Sequence, residues 1–492
     1  MEPLHVKTIG IIGAGLSGLV AAKTYLEYGF SVTVFEKDEE LGGVWSSSRR
    51  YPGLFTQNPR DTYAFTDFPM PRHYPEWPSS EQVQAYLTAY ATHFGVLPRI
   101  RFSSEVTHLA FENEQWHMKG VQAGQPFAAS FDFLTICNGT FSDPHIPAIK
   151  GLDSFYAAGG NVLHTSQYNS SDLSKGKRIA VVGFSKSATD VVVAASETAQ
   201  RTYMICREVK WKIPRFIGSL NTKYMFLNRL GEAMIKTRHH NPFEKLLHGL
   251  GVPDKVFARM EKLLIEKQQL QQSNLVPKMR LQDLKFGEIS METDGFYRKA
   301  AEGDIALKHG EIESCAGKEI TLTNGEKMEV DVLIFGTGFR QAIPFLPEQY
   351  RKAMTDEQGN YILYRNILPP ALPRLAFIGY TASLYSNLTS EFSALWLAEY
   401  LKGNVSKPAD AEIIRENQEF HHWRAQFRMN SYTKGLTVMP HSLHYVDTLM
   451  KDMKASLPLL SLIPDWLVVL EPSRYKKVKV KVMKRNGLKA TA

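Results

Sequence analysis

Residues 6–45 read VKTIGIIGAGLSGLVAAKTYLEYGFSVTVFEKDEELGGVW, and this stretch decides the fold. Val6–Ile12 is an apolar run of strand length. Leu16–Tyr28 then sets Leu19, Val20, Ala22 and Leu26 at helical spacings until Gly29 stops it. Between the two lies Gly13-Ala-Gly15-Leu-Ser17-Gly18. Gly13 permits a tight turn, Gly15 admits a pyrophosphate to the backbone, and Gly18 permits close packing of helix on strand. The unpaired N–H groups and positive dipole end of the helix, with Ser17 in its first turn, would meet the phosphates. A second strand, Ser31–Glu36, ends in an acid 23 residues after Gly13, and Lys37 follows it. A carboxylate there accepts hydrogen bonds from a free ribose diol and repels a 2′-phosphate. Gly42-Gly43-Val44-Trp45 reads either as a turn with a buried aromatic or as a second backbone approach to a large cofactor, with Trp45 covering it.

The pattern returns with the opposite charge. Arg178–Val182 is a strand, Gly183-Phe-Ser185-Lys186-Ser187-Ala188 the turn, and a helix carrying Asp190 follows. Ser185 and Ala188 stand where the second and third glycines stood, small enough to keep the turn. The next strand, Thr202–Cys206, ends in Arg207, 24 residues after Gly183, with Lys210, Lys212 and Arg215 beyond it. Arginine pairs with a ribose 2′-phosphate where the glutamate of the first unit would repel one. Two dinucleotide sites of different preference point to NADPH at the second and FAD at the first.

Length and charge agree with a multidomain globular chain: 492 residues, 43% hydrophobic and 22% charged. The formal net charge of +8 resides in residues 473–492, which hold eight basic residues, Lys489 among them, and no acid; the rest of the chain is neutral. The charge therefore describes a tail, and a nucleic-acid groove is excluded. Three distant cysteines without a CxxC argue against a disulfide scaffold, a zinc site or any other metal centre, and a dithiol reductase. With no signal peptide and no apolar run long enough to span a bilayer, the expectation is a cytoplasmic protein, soluble or peripherally attached to an intracellular membrane.

Three further motifs identify a family. Gly160-Asn-Val-Leu-His164-Thr-Ser-Gln-Tyr168 is similar to FxGxxxHxxxY/W, with Ala158 in place of the phenylalanine. Cys137-Asn138-Gly139 is similar to an ATG-type link and Phe335-Gly336-Thr337-Gly338-Phe339 to FATGY. From about Ile9 to Lys402 the chain resembles the flavin-containing monooxygenases, a group of class B flavoprotein monooxygenases. The resemblance implies an α/β fold of two Rossmann-like domains, the NADPH domain inserted into the FAD domain. It also implies a cycle: NADPH reduces FAD, O2 adds at flavin C4a, and the hydroperoxide oxygenates an amine nitrogen or a sulfur of a small molecule. Leu54–Asp61 resembles the family's flavin-side loop, placing Thr56, Gln57 and Asn58 beside the flavin, with Gln57 where an asparagine is usual. Either amide, Gln57 or Asn58, is then the catalytic candidate; a polar turn before Pro59 is the alternative. His164 reads as a hinge element rather than a base.

The expected division is 1–170 and 325–450 for the FAD domain, 171–324 for the NADPH domain with a helical insertion at about 216–280, and 451–492 for an apolar segment and basic tail. After a strand at Leu375–Gly379, Asn387 and Thr389 precede a helix starting at Phe392, either facing the flavin or serving, with Ser390, as its cap. In the insertion, Val256, Phe257, Met260, Leu263 and Leu264 share a helical face and should pack into a core. Lys477–Val482 alternates as an edge strand guarded by lysines would, or forms a solvated tail; contact with anionic lipid is the other reading. Two alternatives to N- or S-oxygenation stand: Baeyer–Villiger oxygenation of a ketone, disfavoured by Tyr168-Asn169, and a nucleotide-binding sensor or scaffold.

Overall fold

The computed structural model describes residues 5–283, 290–381, 383–426 and 442–488. Lys489 and the 427–441 part of the expected second FAD segment lie outside the described residues. Two parallel five-stranded sheets organise the α/β fold. The first runs Leu375–Phe377, Phe133–Ile136, Thr8–Ile12, Ser31–Phe35, Ile100–Arg101. The second runs Ile305–His309, Arg201–Cys206, Arg178–Val182, Val332–Phe335, Asn161–His164. Their central strands are buried apolar runs, as parallel strands covered on both faces must be.

In each sheet the strand bearing the glycine turn lies between the strand that follows its helix and one from far along the chain. Both turns therefore open at a topological switch point, where crevices form beyond the strand ends. The second sheet takes strands at 161–164 and 332–335, so it reaches past both ends of the expected 171–324 span. The two passages of chain between the sheets run side by side, Asp143–Pro144 pairing antiparallel with Phe339–Arg340.

The insertion holds helices Lys223–Phe226, Arg229–Ala233, Pro242–Gly249 and Val252–Lys267. On the last of these Met260 and Leu264 are buried as expected, but Val256 and Leu263 are exposed. The apolar face is wider than the core it meets, and Val256 stands instead on a cavity wall.

The C-terminal segment corrects the sequence reading. Residues Lys476–Arg485 form a helix, neither an edge strand nor a free tail. A run of Val and Lys at alternate positions also places Tyr475, Val478, Lys479, Val482 and Met483 at helical spacings, and these are the buried residues. Partners decide between the two periods. Lys479 enters the first unit, where its ammonium donates to Asp67 at 2.6 Å and Glu391 at 3.1 Å beside Lys23 and Glu27. The helix starting at Phe392 in the sequence reading begins six residues earlier, at Ser386. Neither Thr389 nor Ser390 caps it: the cap position is Tyr385, and the Thr389 hydroxyl donates to the Ser386 carbonyl at 3.2 Å.

Candidate active site

One cavity of about 2480 Å3 is lined by both glycine turns. Gly13, Gly15, Ser17, Glu36 and Lys37 form one wall, joined by Gly43, Val44, Trp45, Gln57 and Asn58. Gly183, Ser185, Lys186, Ser187 and Arg207 line it as well. Gly18, Thr56, Asp190, Asn387 and Thr389 are not on its surface.

At the first turn Gly18 serves the packing of helix on strand, since a Cβ there would lie 1.9 Å from the Gly13 carbonyl oxygen. Gly15 and Gly43 face each other across the mouth, a Cβ on Gly43 falling 3.2 Å from the Gly15 Cα. Only backbone fills this cradle, and a pyrophosphate fits a site of that kind. Glu36 stands at the adjacent strand end, its carboxylate accepting the Ala14 N–H at 2.6 Å and the Asp38 N–H at 3.1 Å. Burial raises its pKa against those two bonds. Trp45 is buried, and its indole N–H donates to the Tyr63 hydroxyl at 3.1 Å, so it is both wall and core.

The second turn repeats the first with the small residues exchanged. The position of Gly18 in the first turn is Ala188 here, and its methyl packs against Gly336 in the link. A Cβ on Gly336 would sit 2.6 Å from the Ala188 methyl. Gly183 crowds the Gly336 carbonyl as Gly13 crowds that of Cys137, each with 2.6 Å to an added Cβ. The Ser185 hydroxyl donates to the Gly336 carbonyl at 3.2 Å. Arg207 is largely exposed at the strand end, 3.2 Å from Glu311. Lys210 also lines the cavity, but Lys212 and Arg215 do not add to its charge there as expected. Lys212 is buried, donates to the Ser290 hydroxyl at 2.8 Å, and is lowered to about 7 by burial and by Lys186. Arg215 pairs with Asp294 at 2.8 Å and lies over the Trp77 ring.

The flavin-side loop bridges the two units. Gln57 Oε1 accepts the Met291 N–H at 3.1 Å, and the Asn58 amide donates to the Leu384 carbonyl. Buried Thr56 leaves its hydroxyl without a hydrogen-bond partner. Asp190 gathers the Tyr51 hydroxyl at 3.0 Å, the Lys186 ammonium and the Thr293 hydroxyl, both at 2.5 Å. The Asn387 amide donates to the Tyr63 carbonyl at 3.1 Å. His164 is a strut: its Nδ1 accepts the Ser166 N–H at 3.2 Å, so Nε2–H donates to the Gly338 carbonyl at 3.0 Å. Burial lowers its pKa to about 4, keeping it neutral. Sequence reasoning missed Tyr51, which no local pattern marks; it placed Gly336 in the FATGY-like link but not against Ala188, whose methyl requires a small neighbour.

Two strand–turn–helix crevices open into one cavity, with an acid after the strand beside one turn and an arginine after the strand beside the other, the arrangement of an oxidoreductase with two nucleotide sites. The chain belongs to the flavin-binding monooxygenase-like family, which matches residues 6–469. It is an enzyme, a flavin-dependent monooxygenase, and FAD and NADPH are the cofactors of that family. Flavin-containing monooxygenase 1 of Rattus norvegicus is 29% identical over 483 residues, covering 93% of this chain and 85% of the relative. Among solved structures, an oxidised steroid monooxygenase bound to NADP superposes with a TM-score of 0.67 at 20% identity, over 91% of this chain and 97% of that one. The S-allyl-L-cysteine S-oxygenase of Allium sativum gives 0.61 at 19%, over 96% and 93%. Both share the fold.

Proposed function

We propose that this enzyme uses NADPH and O2 to oxygenate a soft nitrogen or sulfur of a small molecule, with FAD in the first crevice and NADPH in the second. One observation carries the assignment: the two glycine turns open into a single cavity that Glu36 and Arg207 also line. FAD, when bound, supplies the redox chemistry and the activation of oxygen. The chain's own groups bind and orient. Gly13, Gly15 and the helix start with Ser17 hold the FAD pyrophosphate, and Glu36 with Lys37 takes its ribose end. Gly43, Val44 and Trp45 cover it. Gly183, Ser185, Lys186 and Ser187 hold the NADPH pyrophosphate, and Arg207 its 2′-phosphate. Gln57 and Asn58 bring amides to the wall where the reacting ends would meet. Gly18, Thr56, Asp190, Asn387 and Thr389 support from behind.

We further assign 1–170 with 325–450 to the FAD unit and 171–324 to the inserted NADPH unit, strands 161–164 and 332–335 being shared with the second sheet. Three free, buried cysteines fit a cytoplasmic setting. Among the described residues no helix is long and apolar enough to cross a membrane. Any peripheral lipid contact falls to Lys477, Lys481 and Lys484, on the outer side of the C-terminal helix.

The test supplies NADPH, 18O2 and a panel of one tertiary amine, one thioether and one ketone. Labelled N-oxide or S-oxide formed in proportion to NADPH consumed is the expected result. Labelled ester from the ketone alone replaces the reading with Baeyer–Villiger chemistry. Hydrogen peroxide as the sole product, or no NADPH consumption, removes the monooxygenase assignment of this site. Arg207→Ala should lower kcat/KM for NADPH about tenfold and leave NADH within about twofold; equal losses take Arg207 out of its role.

A further inference from the structure

Arg49 is a half-buried cation on the surface of the cavity. Its guanidinium donates to the Phe141 carbonyl and lies 6.0 Å from the centre of the Phe339 ring. Neither partner carries a charge, and His164, which also packs on that ring, is kept neutral by burial. Among the described residues no carboxylate lies within ion-pair distance of Arg49. Burial lowers its pKa, and Asp38 and Glu36, acting from farther off, oppose this without cancelling it. The Glu36 carboxylate is taken up by the Ala14 and Asp38 N–H groups, and that of Asp38 accepts the Ser48 hydroxyl at 3.1 Å. A cation drawn partly out of water without a counter-ion destabilises the protein until an anion joins it.

Both ends of the Arg49 side chain are tied to the first glycine turn. At its root the Arg49 N–H donates to the Ser46 carbonyl at 3.1 Å. Ser46 in turn donates to the Gly43 carbonyl, from its N–H at 3.1 Å and from its hydroxyl at 2.8 Å, and Gly43 is the residue that meets Gly15. At the tip, Phe141 belongs to the link that leaves the first sheet at Cys137, whose carbonyl is crowded by Gly13. The side chain therefore reaches from the segment that meets Gly15 to the segment that meets Gly13. A glycine cradle offers a pyrophosphate N–H groups and a helix dipole but no full charge. An arginine reaching across it supplies one, and its planar fork matches two phosphate oxygens.

We propose that Arg49 closes over the first glycine turn and binds the pyrophosphate of FAD as its counter-charge. The inference rests on the placement of FAD in the first crevice. It gives the two arginines separate readouts: Arg49 acts on flavin affinity, and Arg207 on the choice of nicotinamide nucleotide.

The experiment uses full-length protein stripped of flavin and compares wild type with Arg49→Gln and Arg49→Lys. For Arg49→Gln the Kd for FAD, read by flavin fluorescence, should rise about tenfold. For Arg49→Lys, which keeps the charge and loses the fork, it should rise about threefold. The Kd for riboflavin, which lacks the pyrophosphate, should stay within about twofold, and so should the KM for NADPH of the variants saturated with FAD. An unchanged FAD affinity overturns the proposal, as does a riboflavin affinity that falls as far as that for FAD. A raised KM for NADPH with FAD affinity intact moves Arg49 to the other nucleotide and overturns it too. Should Arg49→Gln fail to fold, Arg49→Lys decides by the same comparison of FAD with riboflavin. Failure of wild-type apoprotein to bind FAD at all is a different outcome, which removes the flavin site itself.

Discussion

The Tyr51 hydroxyl donates to Asp190 Oδ2 across 3.0 Å, joining the segment just before the Leu54–Asp61 loop to the glycine-turn helix of the second unit. Asp190 is buried, and burial together with this carboxylate holds the Tyr51 phenol well above its usual pKa, so it stays a donor. Tyr51→Phe should destabilise the protein by about 1–2 kcal/mol. It should also raise KM for NADPH several-fold while kcat changes less, because Asp190 also holds Lys186 of the turn. Urea denaturation and steady-state kinetics check the two parts. A stability loss with an unchanged KM would leave the contact a strut without a part in nucleotide binding.

Gly336 and Ala188 share one space. Gly336→Ala puts a methyl 2.6 Å from that of Ala188 and should cost about 1–3 kcal/mol. Ala188→Gly in the same chain should recover part of that loss, the added methyl still lying 3.0 Å from the Cα of residue 188. Additive losses in the double variant, measured by urea denaturation, would show that the two positions do not compete.

Lys479 is surrounded by three carboxylates, with Lys23 as the second cation of the cluster. Lys479→Met leaves Glu27, Asp67 and Glu391 with one ammonium in the interior and should cost about 3–5 kcal/mol. Adding Asp67→Asn should restore part of it. Since Glu391 lies on the helix whose first residue, Ser386, lines the cavity, flavin should also be released at a lower temperature. Unchanged denaturation midpoints would show that the C-terminal helix is dispensable.

His444 bridges two buried glutamates, Nδ1 to Glu232 at 3.0 Å and Nε2 to Glu244 at 2.7 Å. Burial pulls its pKa down, but the bonds and charges of the two carboxylates prevail and lift it to about 10. A pKa raised on folding stabilises fully below the unfolded value, near 6.5, and its contribution is lost as pH climbs to the folded value. Stability should therefore decline from about pH 6.5 to 10 in wild type and decline less steeply in His444→Gln. Denaturation midpoints across that range decide it; parallel slopes would remove His444 as the titrating group.

Much of the architecture was legible because nucleotide crevices are built from local chemistry. Gly13, Gly15 and Gly18 lie within six residues of one another, and Glu36 and Arg207 each end the strand next to their turn. Long-range partners were not legible. Asp190 and Asn387 look like ligand-facing polar residues in sequence, yet their side chains meet Tyr51 and Tyr63, which lie far off along the chain.

The sequence by itself determined the two strand–turn–helix units, the opposite charge that follows the strand beside each turn and the family, because each depends on short local motifs. Only the tertiary structure decided that Lys476–Arg485 is a helix. A short run with valine and lysine alternating satisfies both the period of a strand and that of a helix. The choice rests with three buried carboxylates, contributed by residues 27, 67 and 391, that take a second ammonium beside that of Lys23. Proximity of that kind arises from folding the whole chain, and no window of sequence contains it.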